Sequence, residues 1–106
     1  MTFQVGSTLL DACVLAVLSR QEAYGYLLTQ QVRSAIDISE STLYPVLRRL
    51  QKDGCLTTYD QPYQGRNRRY YAITDRGREM YHRYAQEWKD YKRAIDKVLL
   101  GGIDDE

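Results

Sequence analysis

The sequence contains few of the residues that most often carry enzymatic or metal chemistry. Its 106 residues include one histidine, two cysteines and two prolines. The single histidine, His82, has no thiol or carboxylate constellation around it that would make a nucleophile–base pair, and we expect it to be exposed. The sequence also lacks a glycine-rich phosphate loop and a cluster of potential ligands at metal-binding spacing. We therefore predict no catalytic residue, no metal and no cofactor, and a protein that is not an enzyme.

The two cysteines, Cys13 and Cys55, are too few for a disulfide scaffold and lack the spacing of metal ligands. Cys13 lies in an apolar run and Cys55 precedes Leu56, so we predict that both are small core residues.

Long hydrophobic runs are also absent. The longest, around residues 12–18, is far too short to cross a bilayer. The first residues do not combine a basic region, an apolar stretch and a cleavage site, so nothing directs export. These features predict a cytoplasmic protein without a membrane partner.

The sequence has almost no net charge, at +1, but its charge is unevenly distributed. The basic residues between positions 41 and 78 are Arg48, Arg49, Lys52, Arg66, Arg68, Arg69, Arg76 and Arg78. The acidic residues of the same stretch are Asp53, Asp60 and Asp75. A basic middle in a neutral chain is typical of a localised phosphate-binding face. A solvated surface of mixed charge is the alternative, although it explains the clustering less well.

Apolar spacing in the first half predicts three helices. The first is apolar almost all round between Leu9 and Leu18, with Ser7 or Thr8 as its N-cap. The second spans about 24–34. The third begins near Ser41, with Pro45 close to its first turn, and stops at Gly54.

The periodicity changes after Gly54. Residues 56–59 and 68–73 read as two short strands, and residues 60–67 as the hairpin tip between them. Thr74 then caps a last helix that runs to about Leu99 or Leu100 and ends at Gly101 and Gly102.

This order predicts a fold that is mainly α with a small β-hairpin. It is a winged helix-turn-helix, with a three-helix core and a two-stranded wing, followed by a long C-terminal dimerisation helix. The predicted units are a DNA-binding domain at 1–73, the dimerisation helix at 74–100 and an acidic tail at 101–106.

In a helix-turn-helix the second helix of the motif enters the major groove of DNA, and its N-terminal residues face the bases. Hydroxyl groups and arginines in this helix can bind base edges and phosphates. The predicted contacts from the third helix are Ser39, Ser41, Thr42, Tyr44, Arg48 and Arg49. Alternatively, the serines only cap the helix and the arginines form its solvated side.

The hairpin carries a second basic group, Arg66, Arg68 and Arg69, which we predict to contact phosphates or the minor groove. Alternation places Tyr71 and Ile73 on one face of the hairpin and Tyr70 on the other, so we predict that one of the two tyrosines is a core residue. An exposed basic hairpin that only protects a strand edge from aggregation is the alternative.

The last helix carries an apolar stripe with the alternating three- and four-residue spacing of a two-helix seam. Its residues are Tyr81, Tyr84, Trp88, Tyr91, Ile95 and Val98. Such a long stripe predicts a homodimer with a two-fold axis. In the alternative, the stripe folds back on the first helix.

A charged residue, Asp11, interrupts the apolar first helix. If the first helix of one subunit borders the last helix of the other, a pocket for a flat organic effector, for example a cationic one, is formed by Asp11, Ala12, Tyr81, Tyr84 and Trp88. The alternative is a filled aromatic core with Asp11 exposed at its rim.

Several motifs together resemble the PadR family of bacterial transcriptional regulators. They are Tyr24-Gly25-Tyr26, Ser41–Leu50 (STLYPVLRRL), Asp53-Gly54, Gly65-Arg66, Tyr70-Tyr71, Ile73-Thr74 and Gly77. The resemblance covers nearly the whole chain and indicates the short subfamily, with one C-terminal helix. It implies a dimeric repressor on double-stranded DNA with a palindromic operator. Trp88 occupies the position at which some short members stack flat aromatic drugs.

The residues and the resemblance together predict a sequence-specific transcriptional regulator. A winged-helix module that binds an acidic protein, with no specific DNA site, is the alternative from another class. Retention of duplex DNA near physiological salt distinguishes the two.

Overall fold

The structure is a computed structural model that describes residues 6–104; Asp105 and Glu106, at the end of the predicted acidic tail, lie outside them. Its helices are α1 (Ser7–Arg20), α2 (Gly25–Arg33), α3 (Glu40–Lys52), α4 (Asp75–Leu99) and α5 (Gly101–Asp104). Its strands are β1 (Ala23–Tyr24), β2 (Leu56–Tyr63) and β3 (Arg66–Ile73). The predicted fold class, a winged helix-turn-helix with a long C-terminal helix, is confirmed.

The core is built around α1, which packs against α2, α3, α4 and β3. Its apolar character on nearly every side suits a helix with neighbours on several sides. The buried residues of α1 are Leu10, Asp11, Val14, Leu15, Val17 and Leu18. The rest of the buried core comprises Ala23, Leu28, Val32, Leu43, Val46, Leu47, Leu50, Cys55, Leu56 and Tyr71. Cys55 is therefore a core residue as predicted, and Cys13 packs half-buried against the core.

Two helix starts differ from the sequence predictions. Helix α1 begins after Gly6 and has no side-chain cap, so neither Ser7 nor Thr8 is its N-cap. Helix α3 begins at Glu40, with Ser39 as its cap. Pro45 consequently lies inside α3, beyond its first turn, where it is exposed and removes the N–H that would bond to the Ser41 carbonyl.

Helix α3 ends in a Schellman motif. The N–H of Gly54 donates to the Gln51 carbonyl at 3.1 Å, and that of Cys55 donates to the Leu50 carbonyl at 2.9 Å. Gly54 has φ +82°, a conformation that favours glycine. The predicted stop at Gly54 is thus confirmed.

The hairpin strands are longer than predicted, because only Gln64 and Gly65 form the turn. Both have positive φ, 50° and 78°, as a type I′ turn requires. Residues 60–63 and 66–67, predicted as loop, extend the two strands. Pro62 is tolerated because β2 pairs only with β3 and is an edge strand.

The sheet has a third strand that the sequence did not indicate. Strand β1 pairs antiparallel with β3, with Ala23 opposite Tyr71 and Tyr24 opposite Tyr70. Two residues are too few to show strand periodicity. This strand joins the start of α2 to the hairpin.

Helix α4 begins as predicted and then leaves the core. Thr74 Oγ1 accepts a hydrogen bond from the Gly77 N–H at 3.0 Å. Tyr81 and Tyr84 pack against the core, whereas most side chains farther along are exposed. The described residues span 60 × 30 × 20 Å. Gly101 and Gly102, predicted to end the helical structure, begin the short α5 after the C-cap Leu100.

Candidate nucleic-acid interface

Three hydroxyl groups meet at the exposed N-terminus of α3. Ser39 Oγ lies 2.9 Å from Ser41 Oγ and 3.0 Å from Thr42 Oγ1, and it accepts a hydrogen bond from the Thr42 N–H at 3.3 Å. Ser39 therefore caps the helix. Because all three side chains remain exposed, their capping bonds leave them accessible to a ligand.

The exposed side of α3 presents Tyr44 and Arg48. Its buried residues, Leu43, Val46, Leu47 and Leu50, occupy the opposite side. Tyr44 is 44% exposed, so its ring and hydroxyl are accessible to a ligand.

The neighbouring arginine, Arg49, turns away from this exposed side. Its guanidinium forms an ion pair with the carboxylate of Asp11 on α1. Asp11 is only 8% exposed, so the predicted alternative of an exposed Asp11 at the rim is wrong. The pKa of Asp11 is raised above its ordinary value, chiefly because burial desolvates the carboxylate; Arg49 lowers it in part, and the charge of Asp53 adds to the rise.

Tyr84 of α4 lies close enough to Asp11 for the charge of the carboxylate to affect it. Burial is the main cause of the raised pKa of its hydroxyl, and the charge of Asp11 raises it further. Asp11 therefore has α3 on one side and α4 within electrostatic range.

A groove of about 490 Å³ separates α3 from the hairpin and the start of α2. Its lining residues are Tyr24, Gly25, Tyr26, Tyr44, Arg48, Arg68, Arg69 and Tyr71. Arginines predicted separately from α3 and from the hairpin are thus brought together along one groove. Three cationic groups beside tyrosine hydroxyls suit a phosphodiester backbone, to which both arginine and tyrosine commonly donate.

Tyr24 and Tyr26 are groove residues that the site prediction missed. In the sequence they stood out only as part of the family resemblance. Tyr24 lies beside the hairpin because it belongs to β1, which pairs with β3, and Tyr26 follows it at the start of α2. Tyr26 is 60% exposed at the rim of the groove. The only signal in the sequence was a large aromatic residue next to a glycine at a helix start.

Arg68 is held between two aromatic rings. Its guanidinium carbon lies 4.1 Å from the ring centroid of Tyr24 and 3.5 Å from that of Tyr63. Tyr70 contacts the Tyr24 ring edge-on at 5.7 Å and stacks on Tyr59 at 5.4 Å. As predicted, Tyr70 lies on the face opposite the buried Tyr71.

The other two hairpin arginines are more exposed. Arg66 is beside the turn, and Arg69 lies 3.6 Å from Asp60 across the hairpin. Both partners of this ion pair are more than half exposed, so it is worth at most about 1 kcal/mol. Arg69 can exchange Asp60 for a phosphate at little cost.

Tyr59 connects the hairpin to the segment after α1. Its hydroxyl donates a 2.5 Å hydrogen bond to Glu22 Oε1. This bond is the first cause of the raised pKa of Tyr59, because ionisation would remove the donated proton.

The predicted stripe on α4 divides into two parts. Tyr81 and Tyr84 pack half-buried against the core, which agrees with the alternative in which the stripe folds back on the first helix. Trp88 and Tyr91 are exposed, with their ring centroids 6.4 Å apart, and Ile95 and Val98 are exposed beyond them. His82 is exposed as predicted. Of the predicted ligand-pocket residues, Asp11 is buried, Ala12 half-buried and Trp88 exposed.

Comparison with known proteins identifies the family. Residues 14–83 match the Transcriptional regulator PadR-like family. The chain belongs to this family. It is 43% identical to Transcriptional regulator Rv3488 of Mycobacterium tuberculosis over 85 residues, which cover 76% of this chain and 73% of the relative.

Solved structures of related proteins have the same fold. The smu.1704 protein of Streptococcus mutans is 41% identical, with a TM-score of 0.88 and 97% of each chain covered. The PadR-like regulator BC4206 of Bacillus cereus is 31% identical, with a TM-score of 0.78 and 86% and 91% of the two chains covered.

Membership of this family makes the chain a DNA-binding transcriptional regulator and not an enzyme. Within residues 6–104, no helix combines the length and apolar composition needed to cross a membrane. In the same part of the chain, no group of three or more histidine, cysteine or acidic residues is placed to hold a metal ion.

Proposed function

We propose that this PadR-like regulator is a cytoplasmic, homodimeric repressor of a palindromic operator. The observation that carries the proposal is the arginine-lined groove beside the exposed side of α3. One surface thereby combines side chains suited to base edges with cationic groups suited to the adjacent phosphates.

In this proposal α3 enters the major groove. Ser39, Ser41, Thr42 and Tyr44 face the bases, because the N-terminal residues of a recognition helix do so. Arg48 borders the groove and, with the hairpin residues Arg66, Arg68 and Arg69, binds phosphates. The units are a DNA-binding part up to residue 73 and a dimerisation helix at 74–100.

The exposed part of α4 supports the dimer. Helix α4 has 25 residues and is therefore about 37 Å long, more than this small core covers. Trp88, Tyr91, Ile95 and Val98 form an apolar patch there that one chain leaves exposed. A second copy related by a two-fold axis would cover it and place two α3 helices about 34 Å apart, one DNA turn.

A flat aromatic effector is the finer part of the proposal. Trp88 is 46% exposed and offers a flat ring to such a ligand near the dimer axis. The other predicted contacts are Asp11, Ala12, Tyr81 and Tyr84. The ligand would release the operator by preferring a different dimer geometry.

DNA binding is tested with the duplex immediately upstream of the gene for this chain and with a scrambled duplex, each at two salt concentrations. Replacing Arg66 and Arg69 by Ala should weaken binding to both duplexes and reduce the salt slope by about 0.9 for each phosphate that the variant no longer binds. Arg93→Ala is the matched control, because Arg93 is exposed on α4 roughly 140° around the helix from Trp88. An unchanged salt slope in the double variant would contradict the hairpin assignment.

The dimer is tested by analytical ultracentrifugation. Ile95→Asp should convert a wild-type dimer to monomer, and Arg93→Asp, which places the same side chain on another side of α4, should leave it dimeric. A monomeric wild-type protein at micromolar concentration would overturn the dimer. Quenching of Trp88 fluorescence by planar cationic dyes tests the effector, and no quenching by any dye would remove it from the proposal.

A further inference from the structure

Arg48 and Arg49 are neighbours in sequence with different surroundings. Successive residues of a helix are about 100° apart around its axis. Arg48 lines the groove beside the hairpin, whereas Arg49 points toward α1 and pairs with Asp11. The two arginines therefore differ in the residues that they contact.

We propose that Arg49 is a positioning residue for DNA recognition: its ion pair with Asp11 fixes the rotation of α3 against α1 and does not itself bind DNA. This inference rests on the proposed mode of DNA binding. It differs from the sequence prediction, which placed Arg49 among the DNA contacts.

The burial of Asp11 supports a role of the ion pair in fixing the orientation of α3. Among the described residues, Asp11 is the only charged side chain in the buried core; the other buried polar residue is Thr29. The other buried residues of α1 and all those of α3 are apolar, for example Val14 and Leu47, and apolar side chains attract without fixed direction. An ion pair with a hydrogen bond constrains angle as well as distance.

Stability alone does not explain the pair. Burial is the largest influence on the pKa of Asp11, and the pKa stays above its ordinary value although Arg49 lowers it. Apolar residues of similar volume often stabilise such a site as well or better, and buried pairs are kept in some proteins because they specify one arrangement. The Asp11–Arg49 pair fits this description.

The rotation of α3 matters because base recognition has a small tolerance. Side chains extend roughly 5–6 Å from a helix axis, so a rotation of about 20° moves their ends by about 2 Å. Hydrogen bonds weaken steeply over far smaller displacements. Tyr44 and the hydroxyl cluster at Ser39, Ser41 and Thr42 would then lose their alignment with base edges.

The test uses a duplex that the wild-type protein selects from a random pool, and a scrambled duplex of the same length. Arg49→Gln and Asp11→Asn should each reduce binding to the selected duplex by roughly five- to twentyfold, the lower part of the range for one mismatched base pair. Binding to the scrambled duplex and the salt slope should be unchanged. The double variant should bind no more weakly than either single variant, since each acts through the other.

A direct phosphate contact by Arg49 predicts different results. Arg49→Gln would then weaken both duplexes and reduce the salt slope by about 0.9, as expected for Arg48→Gln, the matched control. Asp11→Asn would strengthen binding, because it removes a negative charge and frees Arg49. Either result would overturn the positioning role.

Affinities are measured well below the thermal midpoint of each variant, checked by circular dichroism, so that unfolding does not mimic weaker binding. If Asp11→Asn does not fold, Arg49→Gln decides the question alone, because the Arg49 side chain is 42% exposed and its removal leaves no large cavity. A wild-type protein that selects no duplex would refute specific recognition itself. If the wild type is selective and the variants bind the selected duplex equally well, only the role of Arg49 is refuted.

Discussion

Gly77 packs against the backbone carbonyl of Cys55, closer than any other side chain would allow. A Cβ atom at Gly77 would collide with the Cys55 carbonyl oxygen and with the Ile73 side chain. The contact lies in the first turn of α4, where the Gly77 N–H also donates to Thr74. It fixes α4 against the segment that joins α3 to the hairpin.

Replacing Gly77 by Ala should therefore lower the free energy of unfolding by about 1–3 kcal/mol, because the backbone of Cys55 cannot move aside. Gly101→Ala is the control, since a Cβ there meets no atom within 4 Å. Urea denaturation measures both. Equal stability of the two variants would show that the first turn of α4 can move away from the Cys55 backbone without cost.

A substitution at Pro45 should stabilise the protein. Pro45→Ala should raise the free energy of unfolding by about 1–2 kcal/mol, because it supplies the N–H missing inside α3 and alanine is the better helix former. The gain is smaller than the full propensity difference, since proline also restricts the unfolded chain. Gln51→Ala, at another exposed position of α3, should change stability by less than about 0.5 kcal/mol. A lower thermal midpoint for Pro45→Ala would contradict this account.

The aromatic cage of Arg68 predicts a stability effect that Arg66 lacks. Arg68→Ala removes contacts with the rings of Tyr24 and Tyr63 and should destabilise the protein by roughly 1–2 kcal/mol. Arg66→Ala, at an exposed site beside the turn, should stay within about 0.5 kcal/mol of the wild type. Thermal unfolding without DNA compares the two, and equal midpoints would count against the cage.

Asp11 predicts a pH dependence of stability. Its pKa in the folded protein is raised above the ordinary value of 3.8, so the folded state keeps the proton after the unfolded state has released it. The contribution of Asp11 to the free energy of unfolding is therefore greatest below pH 3.8 and falls as pH rises through the folded pKa. Arg49 is the ion-pair partner of this carboxyl, and Tyr84 lies within electrostatic range of it.

The measurement compares urea denaturation of the wild type and Asp11→Asn between about pH 3 and pH 7, a range that spans carboxyl titration. The wild-type stability should fall relative to that of the variant as pH rises, and then become constant. Because the charge of Asp53 also raises the pKa of Asp11, the comparison is repeated in an Asp53→Asn background. A rise of wild-type relative stability across this range would show that the Arg49 attraction outweighs burial.

Much of the fold followed from local signals in the sequence. Thr74 and Gly54 were identified as helix boundaries because capping and positive φ depend on a few adjacent residues. Tyr71 and Tyr70 were assigned to opposite faces because strand alternation is strict. These predictions required no knowledge of distant contacts.

Features that depend on distant contacts were missed. Pro62 and its neighbours have loop-forming composition, yet pairing with β3 makes them a strand. Tyr24 joins the groove only because β1 pairs with β3. Arg48 and Arg49 have the same chemistry, and only the position of Asp11, 38 residues away, distinguishes them.

The free length of α4 makes the spacing of a dimer sensitive to small movements. From Tyr84, its last core contact on the stripe, to Leu99 the helix continues for roughly 22 Å at 1.5 Å per residue. A tilt of about 10° at the core would displace the far end by about 4 Å, more than a hydrogen bond length. In a dimer joined along this segment, subtle repacking near Trp88 would be enough to take two DNA-reading surfaces out of phase with successive turns of the duplex.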